Sequence, residues 1–306
     1  MRITKIDESA YLPEYAIQRL SEMGQFVKYD DRPSREEAIR RLNETDIAIV
    51  EWTAIDRDMF EQITGLKYIV VALTGYEFVD VTAAKEHGIL VSNIPGYSRQ
   101  SVAEHAFALL LAVNRRIRQA DQAARKGKRD YFEPFLATEL YGKTLGILGL
   151  GNIGSWIAKI GQGFGMSVIA HSRTPKGLPN IKDVGLEELL KESDVVMVCV
   201  SYNESTVGML SRERLALMKP TAFLVSIAPA GICDEAALAD MLETGKLAGV
   251  GLDIPQEDSP LEKVENAVLT PGIAWYTQDS LDRLISILLD NIEKFIAGEP
   301  QNVVNA

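Results

Sequence analysis

A cluster of closely spaced glycines, GLGNIG at residues 149–154, is the segment whose residue types and spacing point most directly to chemistry. An apolar run over 145–148 leads into it, an amphipathic stretch over 155–164 follows it, and a second apolar run begins at Ser167. This succession predicts a buried strand, a tight turn, a helix and a second strand. In that context the spacing G-x-G-x-x-G is typical of a backbone cradle for the pyrophosphate of a dinucleotide.

Each glycine of the motif has a separate predicted task. Gly149 permits the tight turn, Gly151 lets the backbone approach the pyrophosphate, and Gly154 lets the helix pack closely on the strand. The helix predicted over 155–164, directly after Asn152 and Ile153, offers free N–H groups and the positive end of its dipole to the phosphates. The alternative is a glycine-rich turn without a ligand, which the complete strand, turn, helix and strand unit disfavours.

The residues after the second apolar run indicate which dinucleotide is bound. An acidic residue there would bind the ribose 2′-hydroxyl of NAD. This chain has Ser172, Arg173 and Thr174 instead, with Lys176 close behind. No carboxylate is present to repel a 2′-phosphate, and Arg173 can pair with one, so the sequence favours NADP over NAD. The alternative that Arg173 stacks on the adenine or points into solvent stays open.

Composition sets bounds on the kind of protein. A chain of 306 residues suggests about two domains. The formal net charge of −11 disfavours nucleic acid and anionic membranes as partners. It also repels an anionic substrate, unless the pocket carries local positive charge. A small-molecule substrate remains as the expected partner.

The two cysteines, Cys199 and Cys233, show no pairing pattern of a disulfide framework. The first residues lack the basic and apolar regions of a signal peptide, and no apolar run reaches the length of about 18 residues that a membrane span needs. We therefore expect a cytoplasmic protein. We expect no metal site.

Apolar runs alternate with amphipathic stretches along most of the chain, which predicts an α/β protein with two doubly wound parallel sheets. Residues 98–124 predict one long helix, capped by Ser98 or Ser101. Its segment 106–113 is apolar nearly all round, as expected either between domains or subunits or in an ordinary core. A last amphipathic helix is predicted over 277–296.

Several motifs together resemble one known family. They are NIPGYSRQSVAEHAFALLLA at 93–112, ELYGKTLGILGLGNIG at 139–154, LALMKPTAFLVSIA at 215–228, DEAAL at 234–238 and LTPGIAW at 269–275. With these motifs the chain is similar to the D-2-hydroxyacid dehydrogenases, and most to their glycerate dehydrogenase or hydroxypyruvate reductase branch. The resemblance covers nearly the whole chain.

This resemblance implies a domain organisation. A flavodoxin-like substrate domain is expected from 1–98 together with 277–306, and a Rossmann-type cofactor domain from 99–276. The family likeness also implies a homodimer through the cofactor domain, with a contact in roughly 99–140. Three aromatic residues in that contact support this expectation, since they would be exposed in a monomer: Tyr131, Phe132 and Phe135.

The resemblance also implies site residues. Thr74 and Gly75 are similar to the backbone loop that holds the substrate carboxylate. Asp253 is similar to an acid that hydrogen-bonds the nicotinamide carboxamide, although a role as a turn cap is an equal alternative. Further residues resemble loops that line the cofactor: Val200, Ser201, Ile227 and Ala228.

Three positions depart from the catalytic pattern of the family. The arginine that clamps the substrate carboxylate and keto oxygen is replaced by Pro229, in SIAPAG. The histidine that exchanges the hydroxyl proton is replaced by Gly272, in LTPGIAW. The carboxylate that orients this histidine is matched by Asp258, beside Glu257. Because a general acid or base is typically worth ~10²–10⁴ in rate, these changes predict little hydroxyacid turnover.

The sequence therefore leaves three functional hypotheses. The favoured one is an NAD(P)-dependent oxidoreductase that acts on the CH–OH or C=O group of a small molecule with altered chemistry or an altered substrate. The alternative is a non-catalytic NAD(P)-binding sensor or scaffold, and the third is a weak hydroxyacid dehydrogenase. Candidate replacements for the lost acid or base are residues near the altered positions: Tyr276, Asp258, Glu257, Tyr97 and Tyr202. For each of them, a role as an exposed rim residue or a packing residue is the favoured alternative.

Overall fold

The computed structural model describes residues 1–8, 11–128 and 135–306. The chain divides into two compact units. The first unit consists of Met1–Ser98 together with Thr277–Ala306, and the second unit is Arg99–Tyr276.

The first unit contains a five-stranded parallel sheet with the order β2-β1-β3-β4-β5. Its strands are β1 (Arg2–Lys5), β2 (Gln25–Lys28), β3 (Ile47–Val50), β4 (Tyr68–Val71) and β5 (Leu90–Ser92). This order is that of flavodoxin-like domains. The central strands are apolar on both faces because helices cover both sides of a parallel sheet.

Four of the five helices described in the first unit begin after a residue whose side chain caps the first turn. Ser34 accepts a hydrogen bond from the N–H of Glu37, and Thr277 accepts one from the N–H of Ser280. The helices are α1 (Glu14–Met23), α2 (Arg35–Asn43), α3 (Arg57–Phe60), α4 (Val81–Glu86) and the C-terminal helix α11 (Gln278–Ile296). The last helix packs on β4, where the rings of Tyr68 and Phe295 stack with centroids 4.1 Å apart.

The second unit contains a seven-stranded parallel sheet with the order β12-β11-β10-β9-β6-β7-β8. The strands are β6 (Thr144–Leu148), β7 (Ser167–His171), β8 (Ile181–Asp183), β9 (Val195–Val198), β10 (Phe223–Ser226), β11 (Gly249–Leu252) and β12 (Ala267–Leu269). Counted within the unit, six of them have the order 3-2-1-4-5-6 of dinucleotide-binding domains, and β12 extends the edge. The predicted α/β class with two doubly wound parallel sheets is confirmed.

The helices of the second unit lie between these strands and on their faces. They are α5 (Arg99–Asn114), α6 (Ile117–Arg125), α7 (Asn152–Gly163), α8 (Leu186–Glu192), α9 (Arg212–Leu215), α10 (Glu235–Glu243) and a short 3₁₀ helix (Pro260–Lys263). No helix within the described ranges is long and apolar enough to cross a membrane.

The prediction of one long helix over 98–124 is wrong. The segment forms α5 and α6, which are separated at Arg116, a residue with a left-handed φ of 48°. Asn114 fixes the break, since its side-chain amide donates to the carbonyl oxygen of Thr138 at 2.8 Å and its side-chain oxygen accepts the N–H of Thr138 at 3.1 Å. Ser101 lies inside α5 and does not cap it. These contacts join residues far apart in sequence, so local helix propensity does not reveal them.

The apolar segment 106–113 packs against the sheet of its own unit. A methyl group placed on Gly249 would lie 2.6 Å from the Val113 side chain, and one on Gly251 would lie 3.0 Å from Leu109. The two glycines therefore let α5 approach β11 closely. The burial of Leu109 and Val113 is explained by an ordinary core, one of the two expected alternatives.

Candidate active site

The glycine turn between β6 and α7 has the geometry of a phosphate cradle. Gly149 has a φ of +101°, and a methyl group on it would lie 2.9 Å from the carbonyl oxygen of Cys199. A methyl group on Gly154 would overlap the carbonyl oxygen of Gly149. A methyl group on Gly151 would meet no atom within 4 Å, so this glycine borders open space. The motif thus combines tight packing on one side with an approachable backbone on the other.

Unpaired amides point from the helix into this turn. Helix α7 begins at Asn152, and its N-cap Gly151 offers no side chain to the first turn. The N–H groups of Asn152, Ile153 and Gly154 lie in that first turn and have no acceptor within the helix. They can donate to the pyrophosphate of a dinucleotide, and the open space at Gly151 fits such a group.

The segment after β7 carries positive charge that is available to a ligand. Ser172 accepts the N–H of Leu150 through its Oγ at 2.8 Å, which ties this segment to the glycine turn. Arg173 and Thr174 are exposed. Among the described residues, no carboxylate forms an ion pair with Arg173. Its guanidinium can therefore pair with a 2′-phosphate.

The loops after β9 and β10 lie at the same carboxyl edge of the sheet as the glycine turn, because all these strands are parallel. These loops hold the predicted cofactor-lining residues Val200 and Ser201 after β9, and Ile227 and Ala228 after β10. Cys199, under the glycine turn, donates its thiol to the carbonyl oxygen of Gly149 at 3.0 Å.

Neither cysteine is suited to nucleophilic chemistry. Burial raises the pKa of Cys199 to about 12, and burial likewise raises the pKa of Cys233 to about 12. The reactive form of cysteine is the thiolate, so both side chains are unreactive thiols at neutral pH. In the part of the chain that the structure describes, no three His, Cys, Asp or Glu side chains are grouped to hold a metal ion.

The positions that the motifs predict to match the family's catalytic residues carry no arginine or histidine. Pro229 is exposed in the loop after β10. Gly272 has a φ of +77°, and its N–H donates to the carbonyl oxygen of Asp253 at 2.6 Å. Asp258 is exposed and has a φ of 55°. A non-glycine residue at position 272 would adopt a left-handed conformation that L-residues disfavour.

A buried carboxylate holds the turn that contains Gly272. Asp253 follows β11 and is 2% exposed. Its Oδ1 accepts the hydroxyl of Thr270 at 2.7 Å and the N–H of Ile273 at 3.0 Å, and its Oδ2 accepts the N–H of Ala274 at 3.1 Å. These bonds are those of a turn cap, the alternative expected for this residue.

His105 completes this cluster. Its Nε2 lies 3.0 Å from the Oγ1 of Thr270 and 3.4 Å from the Oδ1 of Asp253. Burial acts to raise the pKa of Asp253, but hydrogen bonds from His105, Thr270 and Ala274 outweigh it, so the pKa of this carboxyl lies below its ordinary value. Sequence reasoning missed this role of His105, because helix α5 meets the strand ends only through the fold.

The candidate replacement acids lie in different settings. Tyr276 is 52% exposed, and its ring meets that of Trp275 edge-on at 5.3 Å. Tyr202 is exposed and lies against the loop of Pro229, since a methyl group on Gly231 would be 3.4 Å from its ring. Glu257 is exposed. Tyr97 belongs to the first unit and is buried there, which raises its pKa well above the ordinary value and makes it a poor acid.

In the first unit, Thr74 and Gly75 follow β4 at the carboxyl edge of the sheet. The hydroxyl of Thr74 donates to the carbonyl oxygen of Ile94 at 2.9 Å, and the carbonyl of Thr74 accepts the side-chain amide of Asn93 at 2.7 Å. These bonds fix the loop. Among the described residues the N–H groups of Thr74 and Gly75 have no acceptor. They are therefore available to a ligand group, and the carboxylate of Glu77 lies beside them, 2.7 Å from the position of a methyl group placed on Gly75.

A buried ionic cluster at the same edge was not anticipated from the sequence. Lys5 and Asp7 form a fully buried ion pair, and the Lys5 ammonium lies 3.4 Å from the carboxylate of Glu51. The Oδ2 of Asp7 accepts the N–H groups of Trp52 and Thr53 at 2.8 and 2.9 Å. Asp7 therefore stabilises the loop that follows β3 through these hydrogen bonds.

Comparison with known proteins agrees with this architecture. The family model described as "D-isomer specific 2-hydroxyacid dehydrogenase, NAD binding domain" matches residues 107–274. A hydroxypyruvate reductase of Blautia hydrogenotrophica is 35% identical over 301 residues, which cover 94% of this chain and 94% of that protein. A glyoxylate reductase of Pyrococcus furiosus is 36% identical over 313 residues, covering 96% of this chain and 93% of that protein.

Several solved structures are similar over nearly the full length, and one of them contains NADPH. It is an acyclic imino acid reductase, Bsp5, in complex with NADPH and D-Arg. It is 42% identical, covers 99% of this chain and 100% of its own, and superposes with a TM-score of 0.95. The chain belongs to the D-isomer specific 2-hydroxyacid dehydrogenase family, as its motifs indicated, and it is an NAD(P)-dependent oxidoreductase.

Proposed function

We propose that this protein is an NADPH-dependent reductase of acyclic imino acids, which reduces a C=N bond beside a carboxylate to an amine. The observation that carries the proposal is the pair Pro229 and Gly272, at the positions of the family's catalytic arginine and histidine. This proposal replaces the CH–OH or C=O group expected from the family with a C=N group.

The proton requirement of the two reactions differs. Hydride transfer to a ketone leaves an alkoxide, which needs an acid at the moment of reaction, and such an acid is typically worth ~10²–10⁴ in rate. An iminium ion carries its proton on nitrogen before hydride arrives. Hydride addition then gives a neutral amine, which later takes a proton from water. A site with Gly272 in place of histidine has no acid there for the alkoxide of a ketone reduction. It can still serve an iminium ion, which brings its own proton.

The charge requirement differs in the same direction. A guanidinium and an imidazolium stabilise a developing alkoxide, but they repel an iminium cation. With Pro229 and Gly272 at these positions, neither the guanidinium nor the imidazolium of the family pattern is present. A chain with a formal net charge of −11 also disfavours anions and favours cations. An imino acid, whose iminium balances its carboxylate, suits this surface better than a 2-hydroxyacid does.

The full-length structural similarity supports both parts of the proposal, because the similar protein is an acyclic imino acid reductase bound to NADPH. The second unit would hold the cofactor. Its pyrophosphate fits the amides of 152–154, and its 2′-phosphate fits Ser172, Arg173 and Thr174. When bound, NADPH supplies the hydride. In the first unit, the N–H groups of Thr74 and Gly75 would hold the substrate carboxylate.

The product identifies the reaction. A 2-oxo acid, ¹⁵N-ammonium and NADPH deuterated at the transferable position should yield an amino acid that carries both labels. Mass spectrometry distinguishes this product from the deuterated hydroxyacid of a ketone reductase. A hydroxyacid as the main product would contradict the proposal.

Cofactor preference depends on Arg173 in this proposal. Arg173→Ala should weaken NADPH binding by about 10- to 100-fold, because a charge-assisted hydrogen bond is worth ~1.5–3 kcal/mol. NADH binding should change little, since NADH has no 2′-phosphate. Fluorescence titration at fixed salt measures both dissociation constants. Lys176→Ala serves as the matched control for loss of one nearby positive charge, and an unchanged NADPH constant in Arg173→Ala would contradict the prediction.

We also propose a homodimer through the second unit. An apolar hollow lies between α5 and α7, and it is lined by Glu104, Phe107, Ala108, Leu111, Trp156 and Ile160. Of the aromatic residues expected in the contact, Phe135 is half-buried, whereas Tyr131 and Phe132 lie outside the described residues. Sedimentation at micromolar concentration should show a dimer. Ala108→Glu places a charge at an exposed position of the hollow and should give monomers, whereas a monomeric wild type would contradict the proposal.

A further inference from the structure

The hydrogen bonds around Asp253 determine the protonation of His105. Thr270 has one hydroxyl proton, and its 2.7 Å bond to Asp253 uses that proton. The Oγ1 of Thr270 must then accept from His105, 3.0 Å away, so the Nε2 of His105 carries a hydrogen. In the neutral imidazole, Nδ1 is therefore the nitrogen without a hydrogen. This atom has no partner among the described residues, and the side chain is 19% exposed, so water can reach it.

The charge of the cluster depends on this single site. Asp253 stays ionised because its hydrogen bonds outweigh the effect of burial. The cluster therefore carries a buried charge of −1 when His105 is neutral and no net charge when His105 is protonated. No other residue of the cluster changes charge near neutral pH.

Few other charges face His105. Strands β10, β11 and β12, which pack against α5, contain no charged residue. On α7, the Lys159 ammonium lies over the Trp156 ring. On α6, Arg118 donates to the Glu265 backbone and Arg125 pairs with Asp121, while Glu104 on α5 itself is exposed. Among the described residues Asp253 is the ion-pair partner of His105.

The topology places this cluster beside the nicotinamide half of the cofactor site. A dinucleotide lies across the carboxyl ends of the strands, with one mononucleotide on each side of the point where the strand order reverses. The reversal lies between β6 and β9, and the segment after β7 that would bind the adenosine ribose is on one side of it. Strands β9, β10 and β11 form the other side, and Asp253 directly follows β11.

We propose that His105 and Asp253 form a charge switch that sets the preference of the site for oxidised over reduced cofactor, an inference that rests on the cofactor site of the proposed function. The nicotinamide ring is cationic when oxidised and neutral when reduced. With neutral His105 the buried −1 charge attracts the oxidised ring. Protonation of His105 cancels that charge and removes the preference, while binding of the reduced cofactor is unaffected. His105 acts through Asp253 and is a positioning residue.

The test compares dissociation constants of NADP⁺ and NADPH across about pH 5 to pH 8.5, the range in which imidazoles titrate. In the wild type, NADP⁺ should bind about tenfold more weakly at the acidic end, since a nearby unit charge is easily worth that factor. NADPH binding should change less than about twofold in the same range, so it corrects for effects on the shared phosphates. His105→Gln keeps a donor toward Thr270 without a titrating ring, and the ratio of its NADP⁺ and NADPH constants should not depend on pH. His87→Asn, in the first unit, should behave as the wild type.

A second measurement uses the unmodified protein. Because the coupling is reciprocal, NADP⁺ binding must displace a proton from His105. Calorimetry in buffers of different ionisation enthalpy should detect more proton release with NADP⁺ than with NADPH, and the two cofactors should not differ in His105→Gln.

The possible results distinguish a failure of the charge switch from a failure of the proposed function. A pH-independent ratio of the two constants, or an excess of proton release with NADP⁺ that persists in His105→Gln, would overturn the switch and leave the reductase proposal intact. The pair NAD⁺ and NADH carries the same ring charges, so a preference for that pair would contradict the proposed cofactor and leave this test valid. A pH-dependent ratio without imine reduction would contradict the proposed function alone.

Discussion

Hydroxypyruvate, glyoxylate and pyruvate, offered without an amine, should be reduced at least about 10³-fold more slowly than the corresponding imino acid. The proposed absence of a general acid at position 272 accounts for ~10²–10⁴ of this factor. The loss of a charged clamp at Pro229 adds to it, because truncating one partner of a buried charge pair costs ~2–5 kcal/mol. Steady-state oxidation of NADPH, followed by absorbance, measures the rates. Ketone turnover at ~1–10³ s⁻¹, the usual enzyme range, would contradict the prediction.

Restoring the family residues provides the matched variant. Pro229→Arg combined with Gly272→His should raise hydroxypyruvate reduction and lower imine reduction, whereas either change alone should do little, since such groups act as a unit. Gly272 has a φ of +77°, so histidine there costs roughly 1–2 kcal/mol of backbone strain. The melting temperature of each variant must therefore be measured beside its rate. A well-folded double variant with unchanged ketone activity would contradict the assigned roles of these positions.

Asp7→Ala should lower the free energy of unfolding of the first unit by about 3–5 kcal/mol, the cost of breaking a buried ion pair. The change leaves Lys5 without its closest carboxylate and leaves the N–H groups of Trp52 and Thr53 without their acceptor. Urea unfolding followed by circular dichroism measures the effect. Asp30→Asn, an exposed position in the same unit paired with Lys28, is the control and should change stability little. If Asp7→Ala lowered the free energy of unfolding as little as Asp30→Asn does, Asp7 would not stabilise the loop after β3.

The pKa of Asp7 predicts how the stability of the folded state depends on pH. Burial acts to raise the pKa of Asp7, but the Lys5 charge and the hydrogen bonds from Lys5, Trp52 and Glu51 lower it below the unfolded value. The folded state therefore gains stability from Asp7 at a pH above the unfolded pKa of about 3.9. This contribution is lost as the pH falls through the lower, folded value. Asp7→Ala should accordingly be less sensitive to acid than the wild type.

Much of the fold was predictable because its signals are local. The glycine spacing and the buried strand before Gly149 can be recognised within a short stretch of sequence. The side chains of Ser34 and Thr277 likewise cap helices by bonding to the N–H group three residues later. Alternating apolar runs then require two covered parallel sheets. The break at Arg116 was not predictable, because the bonds of Asn114 to Thr138 that fix it are made across the fold.

In the candidate site, too, the local features were predictable and the contacts between distant residues were not. The glycines work through their own backbone, so their positions are readable from spacing. The contacts of Asp7 with Trp52 and of Asp253 with His105 each join separate strands or helices, and no spacing rule relates them. The proposed changes at Pro229 and Gly272 rest on similarity to a family, since proline and glycine carry no chemical signal of the residues they are proposed to replace.

The dependence of NADPH oxidation on amine concentration distinguishes reduction of a C=N bond from reduction of a C=O bond. Purified protein is given a fixed 2-oxo acid and increasing ammonium or methylamine at constant pH and ionic strength, and the rate is followed by absorbance. The account predicts a negligible rate without amine and a rate that rises in proportion to the imine present. A rate that is the same with and without amine would show that the protein reduces the C=O bond, and would contradict the account.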